Sequence, residues 1–287
     1  MAQDMGGREF ALSVSYLRIA RGVAEFTHND APHRNPLGSA LRKDYERMLD
    51  VVGNDSTVKC LLLNGSGGSF CAGGDIREMR ARMSDSDPSS HSPDATRRRL
   101  EAATRWLSRL RNLDVIVIAC VDGPAYGGGF SLALHADFIL ASPRADFCMS
   151  FIRLGLVPDF GAIYCLSRLV GLAAARDIFL TGRCLDAQTA HSMGVVHSVF
   201  PQESLMSNAR AIADTIRRGP TEALAMTKAM LNRSLESDYS ASSLMESYAQ
   251  GISMASPYHK QAVEAFLKRE PLRYEWDIER PDGLQTA

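Results

Sequence analysis

Apolar and polar residues alternate from Leu12 to His28, with an interruption at Arg21-Gly22. Because successive side chains of a strand point to opposite faces, this alternation predicts a β-hairpin that turns at the interruption. From Leu37 to Val52 the apolar residues instead recur every three or four positions, which predicts an amphipathic helix. Strand and helix signals therefore follow each other early in the chain.

Largely apolar runs after this helix predict further strands. They occupy residues 58–63, 114–121 and 137–141. Residues 95–113 predict an amphipathic helix before the second of these strands, and residues 130–135 predict a short buried helix before the third. Strands that alternate with helices are typical of an α/β core. Residues 83–94 are rich in Ser, Asp and Pro and predict a flexible surface loop, with a lid over a site as the alternative.

The last third of the chain changes to helical patterns. They cover residues 202–217, 221–235, 241–255 and 257–268. Residues 271–287, which include Tyr274 and Trp276, predict an extended tail. The chain therefore divides into a mixed α/β part at residues 1–200, a helical part at residues 201–270, and the tail.

Composition excludes several classes of function. Apolar residues make up 45% and charged residues 23% of the chain, as in an ordinary soluble protein. The formal net charge of −1 argues against a nucleic-acid partner, and Arg97-Arg98-Arg99 fits a solvated helix face. No apolar run is long enough to predict a membrane span. The six cysteines lack the paired spacing of disulfide or zinc sites, which indicates reduced thiols, no metal and a cytoplasmic protein.

Two turns of small residues hold the candidate chemistry. Ser69–Ile76 follows the strand at 58–63, and Asp122–Phe130 follows the strand at 114–121. Glycine lets a backbone approach a ligand closely, and the first amide groups of a helix have no intrahelical partner. Two such turns that face each other can direct two N–H donors at one oxygen, which is an oxyanion hole.

In order and spacing, these turns resemble the two signatures of the crotonase, or enoyl-CoA hydratase/isomerase, superfamily. Phe70–Met79 matches the first signature and Val121–Gly129 matches the second. The likeness extends over residues 12–270 and includes Leu154–Asp159 and Leu180–Arg183.

The resemblance implies a ββα spiral core in residues 1–200, followed in residues 201–270 by a helical trimerisation region. It also implies a homotrimer or a dimer of trimers. The implied substrate is an acyl-CoA thioester, so that coenzyme A is part of the substrate and no separate cofactor is expected.

The resemblance places the two oxyanion donors at the backbone amides of Gly74 and Gly128. Gly74 stands where alanine is more usual, which leaves the amide donor in place. Ala72, Asp75 and Ile76 belong to the same first turn and are implied at the substrate, with Asp75 holding the turn in shape.

The two glutamates that activate water in enoyl-CoA hydratases have no counterpart here. The positions that resemble them hold Ser131 and Phe151, and neither can act as a carboxylate acid or base. Both side chains are still expected at the substrate, where Ser131 could donate a hydrogen bond and Phe151 would exclude water. The sequence therefore argues against hydration.

Asp159 follows Pro158 directly, at the position where enoyl-CoA isomerases of the superfamily carry their catalytic carboxylate. One carboxylate is enough for a 1,3-proton shift. The neighbouring apolar residues Phe151, Leu156 and Phe160 are expected to raise its pKa by desolvation. The alternative is that Asp159 only caps a helix predicted at residues 161–170.

Two segments resemble those that hold the coenzyme A portion in the family. Arg34 is the candidate for the CoA phosphates, and Phe266 and Lys268 are candidates for covering the adenine, often from a neighbouring subunit. Phe266 and Lys268 equally fit a core aromatic and a solvated lysine. His135 and Asp137 are interpreted as structural residues of the core.

The predicted function is isomerisation of a 3-enoyl-CoA to a 2-enoyl-CoA, with Asp159 moving the proton. Alternatives within the family are a hydratase-like reaction and an acyl-CoA dehalogenase-like reaction, which needs a base histidine that has no convincing match. A dienoyl-CoA isomerase pairs the aspartate with a glutamate where Phe151 stands. A non-catalytic acyl-CoA-binding protein is the alternative from another class.

Overall fold

The computed structural model describes residues 7–276. Within them, ten strands are formed: β1 Arg8–Ala11, β2 Ser15–Ala20, β3 Val23–His28, β4 Cys60–Gly65, β5 Ile116–Val121, β6 Pro124–Tyr126, β7 Phe138–Ala141, β8 Asp146–Cys148, β9 Cys184–Asp186 and β10 Ser198–Val199. Seven of them make a sheet in the order β1-β2-β3-β4-β5-β7-β10, and the other three make a small sheet in the order β6-β8-β9.

Ten α-helices connect and follow these strands in the described part of the chain. They are α1 Ser39–Gly53, α2 Ile76–Met83, α3 Pro93–Arg111, α4 Gly128–Ala133, α5 Ala162–Thr181, α6 Ala187–Ser192, α7 Leu205–Arg218, α8 Thr221–Arg233, α9 Tyr239–Ala255 and α10 Pro257–Lys268. The predicted α/β part and the four predicted C-terminal helices, α7 to α10, are thereby confirmed.

The predicted hairpin is formed by β2 and β3, which pair antiparallel with Leu17 opposite Phe26. Arg21 and Gly22 turn the chain with left-handed φ angles of 52° and 79°. Two consecutive positive φ angles suit a two-residue hairpin loop, because their twist matches that of the strands. From β3 onward the pairings β3-β4-β5-β7-β10 are all parallel, and helices lie in the connections between the strands.

The strand β5 and the first four residues of β4 are apolar because both faces of the large sheet are covered there. On one face Leu61 and Val117 join the main core, to which α1 and α3 contribute Tyr45 and Trp106. The rings of Tyr45 and Trp106 stack with centroids 4.8 Å apart. On the other face Leu62, Ile118 and Cys60 pack against the buried side of α7.

The segment predicted as a flexible loop contains a turn of helix. The helix α2 continues to Met83, a short 3-10 helix spans Pro88–His91, and α3 begins at Pro93. Asp87 stabilises the start of the 3-10 helix by accepting a hydrogen bond from the backbone N–H of Ser89 at 2.9 Å. The Ser, Asp and Pro residues of this segment thus cap helices and start their first turns.

The last two helices, α9 and α10, pack on each other and leave large apolar side chains exposed. Those exposed by more than two fifths are Tyr239, Leu244, Tyr248, Ile252, Met254, Val263, Phe266 and Leu267. The described part of the predicted tail returns to the large sheet, where the ring of Trp276 lies 5.6 Å from that of Phe138. Residues 277–287 of that prediction lie outside the described residues.

Five of the six cysteines are buried and all six are free thiols. The prediction of mostly buried thiols is therefore confirmed, and their reduced state stays a prediction. Across residues 7–276, no helix combines the length and apolar character that a membrane crossing requires.

The helix α8 is fixed to the sheet by a buried ion pair. The Nζ atom of Lys228 lies 2.7 Å from Oδ2 of Asp137 and donates a hydrogen bond to the carbonyl oxygen of Val115 at 2.8 Å. Asp137 also accepts a hydrogen bond from the backbone N–H of Val117 at 2.8 Å. Burial raises the pKa of Asp137, and Lys228 opposes this rise.

We predict that Lys228→Met lowers the free energy of unfolding by about 3 kcal/mol, because it leaves the Asp137 carboxylate buried without its cation. Denaturant unfolding at pH 7 measures this loss. The matched control is Lys43→Met on α1, where the lysine is exposed and the change should stay within about 0.5 kcal/mol. Equal losses in the two variants would show that the ion pair does not anchor α8.

Candidate active site

The two small-residue turns lie against each other as a backbone-to-backbone contact. The N–H of Cys71 donates to the carbonyl oxygen of Pro124, and the N–H of Tyr126 donates to the carbonyl oxygen of Cys71, both at 3.0 Å. A Cβ atom on Gly73 would lie 2.4 Å from the carbonyl oxygen of Tyr126, and one on Gly129 would lie 2.1 Å from that of Cys71. Only glycine permits this approach of the two turns.

The predicted oxyanion donors, Gly74 and Gly128, lie where the turns meet. A Cβ atom on Gly73 would be 3.3 Å from the amide nitrogen of Gly128. Neither the amide of Gly74 nor that of Gly128 donates a hydrogen bond to another of the described residues, whereas the amide of the adjacent Gly127 donates to the carbonyl oxygen of Cys148 at 2.7 Å. Two unpaired N–H groups are thus available in one small region.

Asp159 lies in the loop between the 3-10 helix Ser150–Leu154 and α5, and its Oδ1 atom is buried with no hydrogen-bond partner in the described structure. Burial raises the pKa of Asp159 from its ordinary value of 3.8 to about 6, and the positive charge of Arg42 opposes this rise. The expected desolvation of this carboxyl is therefore confirmed. A raised pKa at a carboxyl group is a property of proton-transfer residues.

The alternative that Asp159 caps a helix is wrong. The helix α5 begins at Ala162. Its N-cap residue is Gly161, which has no side chain, and no side-chain hydrogen bond caps the helix. Asp159 contributes only its backbone carbonyl, which accepts from the N–H of Ala162 at 3.1 Å. Its carboxyl group is therefore not used by the start of the helix.

Two aromatic rings connect the Asp159 segment to the triple glycine. A Cβ atom on Gly128 would lie 2.9 Å from the ring of Phe160, and one on Gly127 would lie 3.8 Å from the ring of Phe151. Both rings are buried. The residue that follows Asp159 is consequently packed against the turn that carries the Gly128 amide.

The first turn is held by its own polar residues. The carboxylate of Asp75 accepts from the backbone N–H of Arg77 at 2.8 Å and lies 2.8 Å from the guanidinium of Arg77. These contacts confirm that Asp75 shapes the start of α2. Ile76 next to it is 57% exposed and thus open to a ligand. The N–H of Ala72 donates to the carbonyl oxygen of Arg34 at 3.0 Å, which places the exposed Arg34 beside this turn.

The side chains at the two positions where no glutamate is present, Ser131 and Phe151, are both buried. Ser131 is fully buried, and its hydroxyl donates to the carbonyl oxygen of Gly127 at 3.2 Å. Phe151 is 8% exposed and lies against the same turn. The remaining predicted ligand contacts, Phe266 and Lys268, are exposed on α10, the last helix. Their role at the coenzyme A portion stays a prediction.

Arg42 is a site residue that the sequence analysis missed. Its Nε donates to the carbonyl oxygen of Leu37 at 3.1 Å, and its guanidinium lies 5.2 Å from the centre of the Phe160 ring. Burial lowers the pKa of Arg42, while the negative charges of Glu78 and Asp159 oppose that shift. The helix α1 also carries Lys43 and Arg47, so no signal in the sequence singled out Arg42.

No group of three or more His, Cys, Asp or Glu residues suited to a metal ion occurs in residues 7–276. The arrangement offers instead one carboxyl group with a raised pKa and two unpaired amides. Such a set can accept and return a proton beside a stabilised negative charge.

Comparison with known proteins assigns the class. The family described as enoyl-CoA hydratase/isomerase matches residues 18–277. A crystal structure of an enoyl-CoA hydratase/isomerase from Cupriavidus metallidurans CH34 is similar with a TM-score of 0.88 and 36% identity, covering 94% of this chain and 99% of that one. The chain therefore belongs to the enoyl-CoA hydratase/isomerase family and has the crotonase fold, as the resemblance implied.

The curated relatives include proteins named as isomerases and proteins named as hydratases. The chain is 32% identical over 264 residues to the 1,2-epoxyphenylacetyl-CoA isomerase of Escherichia coli, which covers 92% of this chain and 97% of the relative. It is also 32% identical over 251 residues to the short-chain-enoyl-CoA hydratase of Clostridium acetobutylicum, covering 87% and 93%. Overall similarity thus gives the family, and the choice of reaction depends on individual residues.

We predict that Asp159→Asn stabilises the protein in a pH-dependent way. Folding raises the pKa of Asp159 from 3.8 to about 6. Protonation of this carboxyl therefore stabilises the folded protein. That contribution is fully present below about pH 4 and is lost as the pH rises through 6. The variant should therefore gain about 3 kcal/mol in free energy of unfolding at pH 8 and less than about 1 kcal/mol at pH 4.

Denaturant unfolding of wild type and variant at the two pH values measures this difference. The control is Asp114→Asn, which removes the same charge from an exposed position. A gain of equal size at both pH values, or in the control, would contradict the pKa shift of Asp159.

Proposed function

We propose that this chain isomerises a 3-enoyl-CoA to the conjugated 2-enoyl-CoA, with Asp159 as the only acid and base. The observation that supports this most directly is the Asp159 carboxyl group, which is buried, unpartnered at Oδ1 and raised in pKa to about 6. A pKa near neutrality lets one group both remove and return a proton. Phe160 connects this carboxyl to the turn with the unpaired Gly128 amide.

In the proposed reaction Asp159 takes a proton from C2 of the acyl group. The electrons move into the thioester carbonyl, whose oxygen is held by the amides of Gly74 and Gly128. Each such donor contributes on the order of 3 kcal/mol to the stability of the enolate. The same carboxyl then delivers the proton to C4, and the double bond moves from C3–C4 to C2–C3.

The residues favour isomerisation over the other reactions of the family. Hydration requires a carboxylate pair around the attacking water, and Ser131 and Phe151 stand at the two positions concerned. The dehalogenase-like reaction requires a base histidine. His135 is 8% exposed and bonded through Nε2 to the carbonyl oxygen of Phe160, which does not suit that role.

We predict that incubation with a 3-enoyl-CoA produces the ultraviolet absorbance of a conjugated enoyl thioester, and that Asp159→Asn lowers kcat by about a hundredfold or more. Loss of the carboxyl removes proton transfer but leaves both amides in place, so the affinity for a CoA thioester should be retained. The conservative variant Asp159→Glu should keep part of the activity because it keeps the carboxyl group.

Exchange of the C2 proton with deuterium provides an independent measurement, because it reports proton removal alone. Asp114→Asn is the control, since it makes the same change at an exposed aspartate and should stay within about threefold of wild type. Full activity in Asp159→Asn would exclude the mechanism. Binding of CoA thioesters without exchange in wild type would instead identify a non-catalytic acyl-CoA-binding protein.

We also propose that the protein is a homotrimer or a dimer of trimers that associates through α9 and α10. Their exposed apolar residues form a surface that is costly in water, and Phe266 and Lys268 lie at its end, where a neighbouring subunit's CoA could be covered.

Light scattering should give three or six times the chain mass of 31.4 kDa. Tyr248→Asp should lower that mass, whereas a 31.4 kDa particle in wild type at micromolar concentration would refute association.

A further inference from the structure

The two residues after Asp159 both have left-handed backbone angles. Phe160 has a φ of 55° and Gly161 a φ of 73°. This conformation is easy for glycine but unfavourable for phenylalanine, and it persists only where neighbouring groups enforce it. The direction of the Asp159 carboxyl therefore depends on whatever holds this turn.

One side chain holds the carbonyl group between these two residues. The Nε2 atom of His135 forms a hydrogen bond of 2.8 Å with the carbonyl oxygen of Phe160. Because a carbonyl oxygen only accepts, Nε2 must carry the proton. Burial lowers the pKa of His135, so the ring is neutral near pH 7 and Nδ1 carries no proton. Nδ1 is buried and has no partner in the described structure, so Phe160 is the only backbone group that the ring contacts by a hydrogen bond.

We propose that His135 is a positioning residue for Asp159, an inference that rests on the proposed role of Asp159 as the acid and base. His135 acts through the Phe160 carbonyl and touches no substrate. Its hydrogen bond fixes the left-handed turn and so keeps the Asp159 carboxyl in its buried position, where Oδ1 has no partner among the described residues.

His135 lies close in sequence to Gly128, so a single short helix connects it to the turn that carries the Gly128 amide. It lies two residues after α4, the helix that begins with Gly128, and its own N–H donates to the carbonyl oxygen of Leu132 in that helix at 3.1 Å. The ring of Phe160 packs against Gly128 at the other end of α4. One short helix thus sets the Gly128 amide directly and Asp159 through two contacts with Phe160.

Such a double connection matters because proton transfer is sensitive to small displacements. A shift of about 1 Å can cost about a hundredfold in rate. A purely structural histidine would change the stability of the fold but would leave the geometry between carboxyl and amide intact. The two roles therefore differ in what a substitution does to kcat and to the pKa of Asp159.

The experiment compares His135→Leu, which removes the donor, with His135→Gln, whose Nε2 can still donate to the carbonyl of Phe160. His135→Leu should lower kcat on a 3-enoyl-CoA by about tenfold or more with KM changed less than about twofold, and His135→Gln should recover most of that loss. The matched control is His191→Leu on α6, which removes a histidine bonded through Nδ1 to the carbonyl oxygen of Val196 at 3.0 Å. The control should leave kcat unchanged.

A second measurement does not need activity. The carboxyl ¹³C signal of Asp159, assigned by its loss in Asp159→Asn, should titrate near pH 6 in wild type, His135→Gln and His191→Leu. In His135→Leu the freed carboxyl reaches water, so its titration should move toward the ordinary pKa of 3.8. Arg42 is the charged side chain that acts on this carboxyl in all four proteins.

An unchanged titration in His135→Leu would overturn the positioning role, as would an equal loss of kcat in the His191→Leu control. If wild type has no turnover but the titration moves as expected, the proposed reaction is wrong and the positioning role stands. The two proposals can therefore fail separately.

Discussion

The site depends first on the contact between two peptide backbones that only glycine permits. Gly73 lies against the carbonyl of Tyr126, and Gly129 lies against the carbonyl of Cys71, at distances that leave no space for a Cβ atom. This contact brings the unpaired amides of Gly74 and Gly128 together. Because each turn follows a strand buried on both faces, the rigid interior of the sheet determines where the amides lie.

Much of this arrangement could be predicted from the chain itself. The period of the apolar residues predicted the hairpin and the helices, because burial of one face is a local property of each element. The two turns were recognisable because their glycines are required by sterics. The resemblance then pointed to Asp159 among the many aspartates. Of its expected apolar neighbours Phe151 and Phe160 are buried, whereas Leu156 is 42% exposed.

Other features could not be predicted because they arise from contacts between distant residues. Asp159 was equally consistent with a helix cap until the structure placed Gly161 in that role. The left-handed φ of Phe160 has no signal in sequence, since it is imposed by His135, 25 residues earlier. Arg42 resembled an ordinary polar position of α1, and only the fold places it beside Phe160 and within reach of the Asp159 charge.

The electrostatic balance around Asp159 explains how a buried carboxyl can remain useful for proton transfer. Full pairing with an arginine would lower its pKa by about 1–3 units and make it a poor proton acceptor near neutral pH. Here Arg42 directs Nε to the carbonyl of Leu37 and stacks its guanidinium over Phe160, so it only moderates the effect of burial. The phenylalanine that links Asp159 to the turn of Gly128 thus also lies under the guanidinium of Arg42, whose charge acts on Asp159. A single aromatic residue thereby couples the geometry of the site to the pKa on which its chemistry depends.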